Sequence, residues 1–184
     1  MNATEQRTSL VRGMALAVVA MIVIVAASNY LVQFPINDWL TWGAITYPAS
    51  FFVTDLANRA YGPGRARQIV YVGFVFGVAV SAYLATWRIA AASGTAFLVG
   101  QLLDIFVFNR LRQQTWWQAP FVGSALGSVI DTALFFSLAF AGTMVPWVSL
   151  AWGDLWVKLA MAVLFLAPFR ALMNSIMPVQ PQRG

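Results

Sequence analysis

The sequence predicts an all-α membrane protein, a six-transmembrane-helix bundle with both termini in the cytoplasm. Three observations carry that expectation. Of 184 residues, 60% are apolar and only 9% are charged, with a mean hydropathy of +0.73. A soluble domain usually carries about 25% charged residues, so this chain cannot clothe a water-facing surface. The apolar residues fall into six stretches of about 20, the length an α-helix needs to cross the hydrocarbon core. The basic residues gather at alternate ends of those stretches, as topology determinants do.

The six segments cover 13–33, 39–58, 68–87, 89–109, 119–142 and 148–169, and make one integral membrane domain over 1–184. The apolar run of the first is longer than the core of about 7–15 residues in a cleavable signal peptide, so it reads as a span even though Ala26-Ala27-Ser28 loosely resembles a cleavage site. Phe34-Pro35-Ile36-Asn37-Asp38 separates it from the second segment as a turn. Tyr61-Gly62-Pro63-Gly64 cannot continue a helix and ends the second. The connection from third to fourth, around Trp87-Arg88, is very short. Pro120 suits the first turn of the fifth helix, where its missing N–H is no loss. Gly142 through Pro146 closes that helix before the sixth.

Charge then orients the bundle. Arg7, Arg12, Arg59, Arg65, Arg67, Arg110, Arg112, Arg170 and Arg183 fall on one side, and Arg88 alone on the other. Positive charge marks the cytoplasmic side. Trp39, Trp42, Trp87, Trp116, Trp117, Trp147 and Trp152 cluster near segment ends, where amphipathic rings anchor at the interface. The net charge of +5 is thus spent on topology, and the expected partners are the lipid bilayer and a small molecule, not nucleic acid. Cysteine and histidine are absent. Disulfides, thiol chemistry and His-dependent triads are excluded, and a zinc or haem site lacks its usual ligands; no metal or cofactor is expected.

Against this background the ionisable residues inside the segments stand out. A bare charge at mid-membrane costs about 2.5–3.5 kcal/mol on insertion scales, so such residues face a protein interior or an aqueous cavity. Asp104, Asp131 and Lys158 therefore point to a polar pocket or pathway. Along the fourth segment Gly94, Phe97, Gln101, Asp104 and Phe108 recur at three- and four-residue steps and share one helix face. That face suits a flat, hydrogen-bonding ligand; its alternative role is interhelical glue. Ser124, Gly127, Ser128 and Asp131 form a similar face on the fifth segment, where Gly123 and Gly127 also allow close helix approach. In the sixth, Asp154 and Lys158 are four apart and able to pair. Lys158 can equally balance Asp131 or Asp104 from across the bundle. Three acids against one lysine leave an acid free to exchange a proton in a working cycle. Asp55, at the end of the second segment, is either a boundary charge or part of an inner gate, and Asn29 lies near the outer end of the first. Two membrane aspartates also suggest an intramembrane protease, but the glycine–x–glycine–aspartate signature is missing: Leu102-Leu103 precede Asp104 and Val129-Ile130 precede Asp131. The chain does not read as an enzyme.

The ordered set Ser28-Asn29-Tyr30-Leu31-Val32-Gln33 with Pro35, Thr41-Trp42-Gly43-Ala44 with Pro48, Thr54-Asp55-Leu56, Arg88-Ile89-Ala90, Gly100-Gln101-Leu102-Leu103-Asp104, Val107 through Arg112, Trp116-Trp117 with Ala119-Pro120, Asp131-Thr132 with Phe135-Phe136, and Lys158 resembles the bacterial queuosine-precursor transporter family, once grouped with vitamin uptake transporters. The resemblance covers nearly the whole chain and implies an inner-membrane carrier for 7-deazaguanine bases, chiefly 7-cyano-7-deazaguanine and its aminomethyl relative, salvaged for the tRNA nucleoside queuosine. The family is similar in size and span number to substrate-binding subunits of energy-coupling-factor transporters. A lone carrier, a homo-oligomer, a subunit of an energising module and a non-transporting structural protein therefore stay open. The third-to-fourth connection is shorter here than the family pattern leads one to expect. For such a ligand, Asp104 or Asp131 would take the guanidine-like edge through two parallel hydrogen bonds. Gln101 and Asn29 would be secondary donors and acceptors, with Phe97 or Phe108 stacking on the ring. Lys158 completes the expected binding set, and Asp55 and Asp154 are the candidates for gating or coupling.

Overall fold

The computed structural model describes residues 3–32, 34–37, 39–84 and 86–174; Gln33, Asp38 and Arg183, all used above, lie outside them. The chain runs through α1 (Ala3–Leu31), a small antiparallel pair β1 (Pro35–Asn37) and β2 (Leu40–Thr41), then α2 (Trp42–Thr46), α3 (Ala49–Tyr61), α4 (Pro63–Leu84), α5 (Trp87–Leu111), α6 (Gln118–Phe140), α7 (Trp147–Leu164) and α8 (Leu166–Met173). Five stretches are long and apolar enough to cross a membrane: 8–31, α4, α5, α6 and the run 147–173.

The second expected segment is where the structure departs from a row of continuous helices. Its first residues form a hairpin in which the Trp39 N–H donates to Asn37 Oδ1 at 2.9 Å. Thr41 then caps α2, its hydroxyl accepting from the Ala44 N–H at 3.3 Å. Pro48 stops α2 after five residues, because a proline brings no N–H and clashes with the preceding turn. α3 resumes immediately and runs for 13 residues. The break leaves Gly43 and Tyr47 on the wall of the cavity described below.

The other breaks follow from residues that cannot propagate a helix. Gly62 takes φ 84°, a left-handed conformation that side chains disfavour, and Pro63 restarts the chain as the first residue of α4. Thr86 caps α5 by accepting from the Ile89 N–H at 3.4 Å, which fixes the very short α4–α5 corner. Pro168 forces the break at Phe165 that divides α7 from α8, and itself sits in the first turn of α8, where its missing N–H is harmless.

The molecule is inside out relative to a soluble domain. Leu16, Val75, Phe106 and Trp156 are well exposed on its flanks, whereas Asp55, Asp104, Asp131, Gln101 and Lys158 are buried. One apolar cluster (Met21, Val25, Ile69, Val70, Phe97, Ile105) fills the space between α1, α4 and α5. A smaller one around Phe108, Ala119 and Phe169 closes the opposite flank. α5 and α6 make the most extensive helix pair. They approach so closely because a Cβ on Gly127 would lie 2.8 Å from the Gly100 carbonyl oxygen and 2.7 Å from Phe51.

The arginines collect at the ends of the bundle. Arg112 donates to the Asn58 carbonyl and to Asn58 Oδ1 at 2.8 and 2.6 Å, Arg59 lies over the Phe169 ring, and Arg170 lies over Trp116. Partial burial, and then the charge of Arg59, lower the Arg112 guanidinium from its ordinary value, though an arginine stays charged at any working pH. At the other end Arg88 donates to the Leu138 and Ala141 carbonyls, closing the last turn of α6.

Because the Gly100–Gly127 contact leaves no room for a methyl group, Gly127→Ala should cost about 1–3 kcal/mol through overpacking. The thermal midpoint of the purified protein in detergent reads this directly. An unchanged midpoint would mean that α5 and α6 are not held in this contact.

Candidate functional site

The site is built around Lys158 on α7. Its ammonium reaches Asp131 Oδ2 on α6 at 2.7 Å and Asp154 Oδ2, one turn earlier on α7, at 2.5 Å. It also donates to the Thr132 hydroxyl at 3.0 Å and lies 4.9 Å from the centre of the Tyr47 ring. Thr132 donates its own hydrogen bond to Asp154 Oδ2 at 2.7 Å, and Tyr47 donates to Asp131 Oδ1 at 2.7 Å. One cation thus answers two carboxylates, and two hydroxyls take up part of the remaining negative charge. Lys158 does not choose between Asp154 and Asp131; it holds both.

Each part comes from a different local cause. Asp154 and Lys158 are one turn apart, so α7 aims them at the same point. Asp131 and Thr132 are adjacent on α6, and both are buried against α7. Tyr47 reaches Asp131 because Pro48 interrupts the helix beside it, leaving the ring at the end of α2 rather than on the flank of a continuous span.

Above this cluster opens a cavity whose empty space totals about 560 Å³, mouth included, of which about 60 Å³ takes the centre of a water molecule. The polar groups on its wall are Ser28, Asn29, Ser81 and Ser93, with Asp131, Asp154 and Lys158 at its floor and Phe135 and Tyr47 as aromatic faces. Asp154 is the most accessible of the three charged groups, its side chain 12% exposed. The Asn29 amide donates to the Gly77 carbonyl at 3.2 Å and accepts from Ser93 at 3.5 Å, which fixes its orientation. The arrangement offers carboxylate acceptors, an ammonium donor and aromatic faces within one hollow, suited to a flat molecule with N–H groups on one edge. Among the described residues no group of three His, Cys, Asp or Glu is placed to hold a metal ion.

Of the residues singled out from sequence, Asn29, Asp131, Asp154 and Lys158 lie on this cavity. Gln101 lies elsewhere, fully buried and spanning α5 to α3: it accepts from Thr54 at 2.6 Å and donates to Ser50 at 2.9 Å. Phe97 belongs to the α1–α4–α5 core, and Phe108 packs edge-on to Phe169. Asp104 turns toward Gly123 on α6, and Asp55 accepts from Ser124 at 3.0 Å. A second, tighter cavity lined by Phe52, Asp55, Ser124, Ser128 and Phe165 also touches Lys158. Lys158 therefore stands between two hollows. Tyr47 and Ser93 did not emerge from the sequence, and Phe135 appeared there only within the family pattern, without a site role. For Phe135 a signal existed, since it follows Asp131 by four residues on the same face. For Tyr47 the signal was a proline directly after it inside an apolar segment.

A family model described as "Putative vitamin uptake transporter" matches residues 41–86 and 80–173, and the two stretches meet at the α4–α5 corner. The chain is 37% identical to a protein of Haemophilus influenzae named "Probable queuosine precursor transporter", covering 85% of this chain and 84% of that one. It is 33% identical to the "Queuosine precursor transporter" of Escherichia coli, over 85% and 84% of the two chains. A third relative, from Bacillus subtilis and named "Probable queuosine precursor transporter", is 29% identical over 55% of this chain and 57% of its own. No solved structure matches. The chain belongs to the family described as "Putative vitamin uptake transporter", a family of multi-pass membrane transporters and not of enzymes.

Removing the shared cation should be costly. Lys158→Met leaves Asp131 and Asp154 facing each other without a counter-charge, and breaking a buried ion pair by removing one partner costs about 3–5 kcal/mol. Adding Asp131→Asn and Asp154→Asn to that variant should restore much of the lost thermal stability. A single Lys158→Met protein as stable as the wild type would contradict a buried cluster.

Proposed function

We propose that this protein imports queuosine precursors, 7-deazaguanine bases such as 7-cyano-7-deazaguanine, across the bacterial inner membrane. The cavity above the Lys158 cluster is the site that receives them. The observation that carries this reading is the cluster itself: two carboxylates and one ammonium exposed to a hollow in the middle of an otherwise apolar bundle. The names of the Haemophilus and Escherichia relatives supply the substrate class.

In this reading the chain crosses the membrane six times, the broken α2–α3 stretch counting as one crossing, with the termini and most arginines in the cytoplasm. The cavity then faces outward and the tighter hollow beside Asp55 faces inward. Discontinuous helices at mid-membrane commonly build transporter binding sites, and the α2–α3 break occupies that position. A deazaguanine presents an amidine-like pair of N–H groups, a carbonyl and two aromatic faces. Asp154 and Asp131 accept the N–H pair, since a carboxylate has about four lone-pair sites and the internal bonds occupy only some of them. Lys158 or the Asn29 amide meets the carbonyl edge. Phe135 and Tyr47 flank the ring at offset or edge-on angles. Lys158, touching both hollows, is the barrier between them, and its release from one carboxylate as the base binds opens the inner side.

Two measurements test this. A thermal-shift series on the purified protein should show stabilisation by 7-cyano-7-deazaguanine, about 2.7 kcal/mol at a hundredfold excess over Kd, and none by an unrelated vitamin. Asp154→Asn should weaken that binding about 10- to 100-fold, the value of a hydrogen bond to a charged group. Asp131→Ala should abolish uptake with membrane insertion intact. Uptake into liposomes holding this chain alone, without ATP, separates a self-sufficient carrier from a subunit of an ATP-driven module. Absence of any response to deazaguanines would refute the reading.

A further inference from the structure

A second group of carboxyls lies outside the substrate cavity. Asp55 from α3 and Asp104 from α5 converge on one turn of α6 from its two sides. Asp55 Oδ2 accepts from the Ser124 hydroxyl at 3.0 Å. Asp104 packs directly on Gly123, its Oδ1 occupying the place a Cβ there would need, and its own Cβ lies 3.3 Å from the Cβ position of Gly127. The two carboxyls thus meet adjacent residues of α6, Ser124 and Gly123.

What distinguishes this pair from the Lys158 cluster is the lack of an answering charge. Asp104 is fully buried, and neither of its oxygens has a hydrogen-bond partner; Asp55 is 4% exposed, and its Oδ1 has none either. Among the described residues no cation pairs with either acid. The charged and polar groups around them make their contacts elsewhere, and only Arg59 Nε and Arg112 Nη1 among the described cations are buried without a hydrogen-bond partner. Lys158, across the tight inner hollow, holds Asp131 and Asp154. Arg59, one turn beyond Asp55, reaches toward the Met173 carbonyl and Phe169, and Arg112 is tied to Asn58. On α5, Gln101 is spent on Ser50 and Thr54; on α3, the Asn58 amide is spent on the Ile105 carbonyl. The Tyr47 hydroxyl is spent on Asp131.

Glue of this kind would be a poor choice, because an unpaired buried carboxylate is among the most expensive groups a fold can hold. Two adjacent carboxyls remain tolerable when they share a proton, since they cannot both ionise at close range. Asp55 is the reachable member of the pair. Asp55 lines the inner hollow, which has about 10 Å³ for water centres, room for about one water. That hollow ends on Lys158, the floor of the substrate cavity. α6 carries both ends of the link: Ser124 touches Asp55, and Asp131, two turns further along, touches Lys158.

We propose that Asp55 and Asp104 form the binding site of a coupling proton, so that base import is driven by proton entry. The inference rests on the transport reading above and deepens it. The proton adds to a carboxylate oxygen of the pair when the pair communicates with the outer side. It leaves from the same oxygen to water in the inner hollow when α6 has moved with the base; no other bond is made or broken.

The test uses the full chain in liposomes that enclose a pH-sensitive dye, with labelled 7-cyano-7-deazaguanine outside. For one proton per base, wild type should acidify the interior when base is added. It should accumulate base about tenfold for each unit of pH difference, and an uncoupler should abolish the accumulation. Asp104→Asn, which copies the protonated acid, should keep base-induced thermal stabilisation and base-for-base exchange but lose accumulation driven by the pH gradient. Asp55→Asn gives the same readout should the first variant fold poorly, and the wild-type proton flux needs no variant at all. Full accumulation by Asp104→Asn, accumulation driven by a sodium gradient alone, or base movement without any pH change each overturns the proposal while leaving transport standing. A wild-type protein that neither binds nor exchanges base overturns the transport reading and this inference with it.

Discussion

A charge that leaves water for the interior of a membrane bundle must find its counter-charge inside the protein, and here Lys158 supplies it for two carboxylates at once. The rest of the architecture follows from that demand. α7 must present Asp154 and Lys158 on one face, α6 must bring Asp131 and Thr132 against them, and the chain between α1 and α3 must break so that the Tyr47 hydroxyl can close the ring of donors. A solid apolar interior would solve the packing problem more cheaply. The ionic arrangement borders a hollow, and in the proposed reading a ligand there takes over part of the hydrogen bonding.

The hollow itself results from where the helices are allowed to touch. Glycines bring α5 and α6 into near backbone contact at Gly100 and Gly127. Gly43 lets α2 press on α1, since a Cβ there would lie 2.8 Å from the Ser28 carbonyl oxygen, and Gly153 lets α7 abut the backbone of Trp39. These contacts pin the helices at points above, beside and below the cavity. Between them, small residues such as Ser28, Ser81, Ser93 and Ala96 leave space that larger side chains would fill. Close packing in some places and small side chains in others produce an internal void in a protein that shows the membrane an apolar exterior.

Much of this was legible in the residues. Long apolar stretches separated by Gly62-Pro63 and by Gly142 through Pro146 indicated where helices begin and end, because proline and glycine impose backbone limits that packing rarely overrides; the corner expected around Trp87-Arg88 falls two residues earlier, where Thr86 caps α5. The interior placement of Asp104, Asp131 and Lys158 followed from the cost of exposing charge to lipid. The second segment was harder. Its composition is apolar enough to cross, and composition says nothing about Pro48 and Thr41 acting together to convert its first third into a hairpin and a short helix. On α5, periodicity identified an inward face, and Gln101, Asp104 and Phe108 are indeed buried. What periodicity cannot tell is which neighbour that face meets. Here it meets α3, α6 and the α8 side, whereas the cavity takes Ser93 and Ala96 from a different part of the helix. Partner choice is a property of the assembled bundle, set by contacts such as Gly100 on Gly127, and no single helix encodes it.

The central claim is that the Lys158 cluster forms the floor of a water-filled hollow that receives a nucleobase. The absence of cysteine from the whole chain makes this directly measurable, because one introduced thiol is the sole reactive group. With Ser93→Cys on the cavity wall, a water-soluble thiol reagent should modify the protein in membranes, and 7-cyano-7-deazaguanine should slow that modification. Phe106→Cys on the exposed apolar flank should react slowly and without regard to the base. A thiol at position 93 that is inert, or that reacts at the same rate with and without the base, would contradict the account.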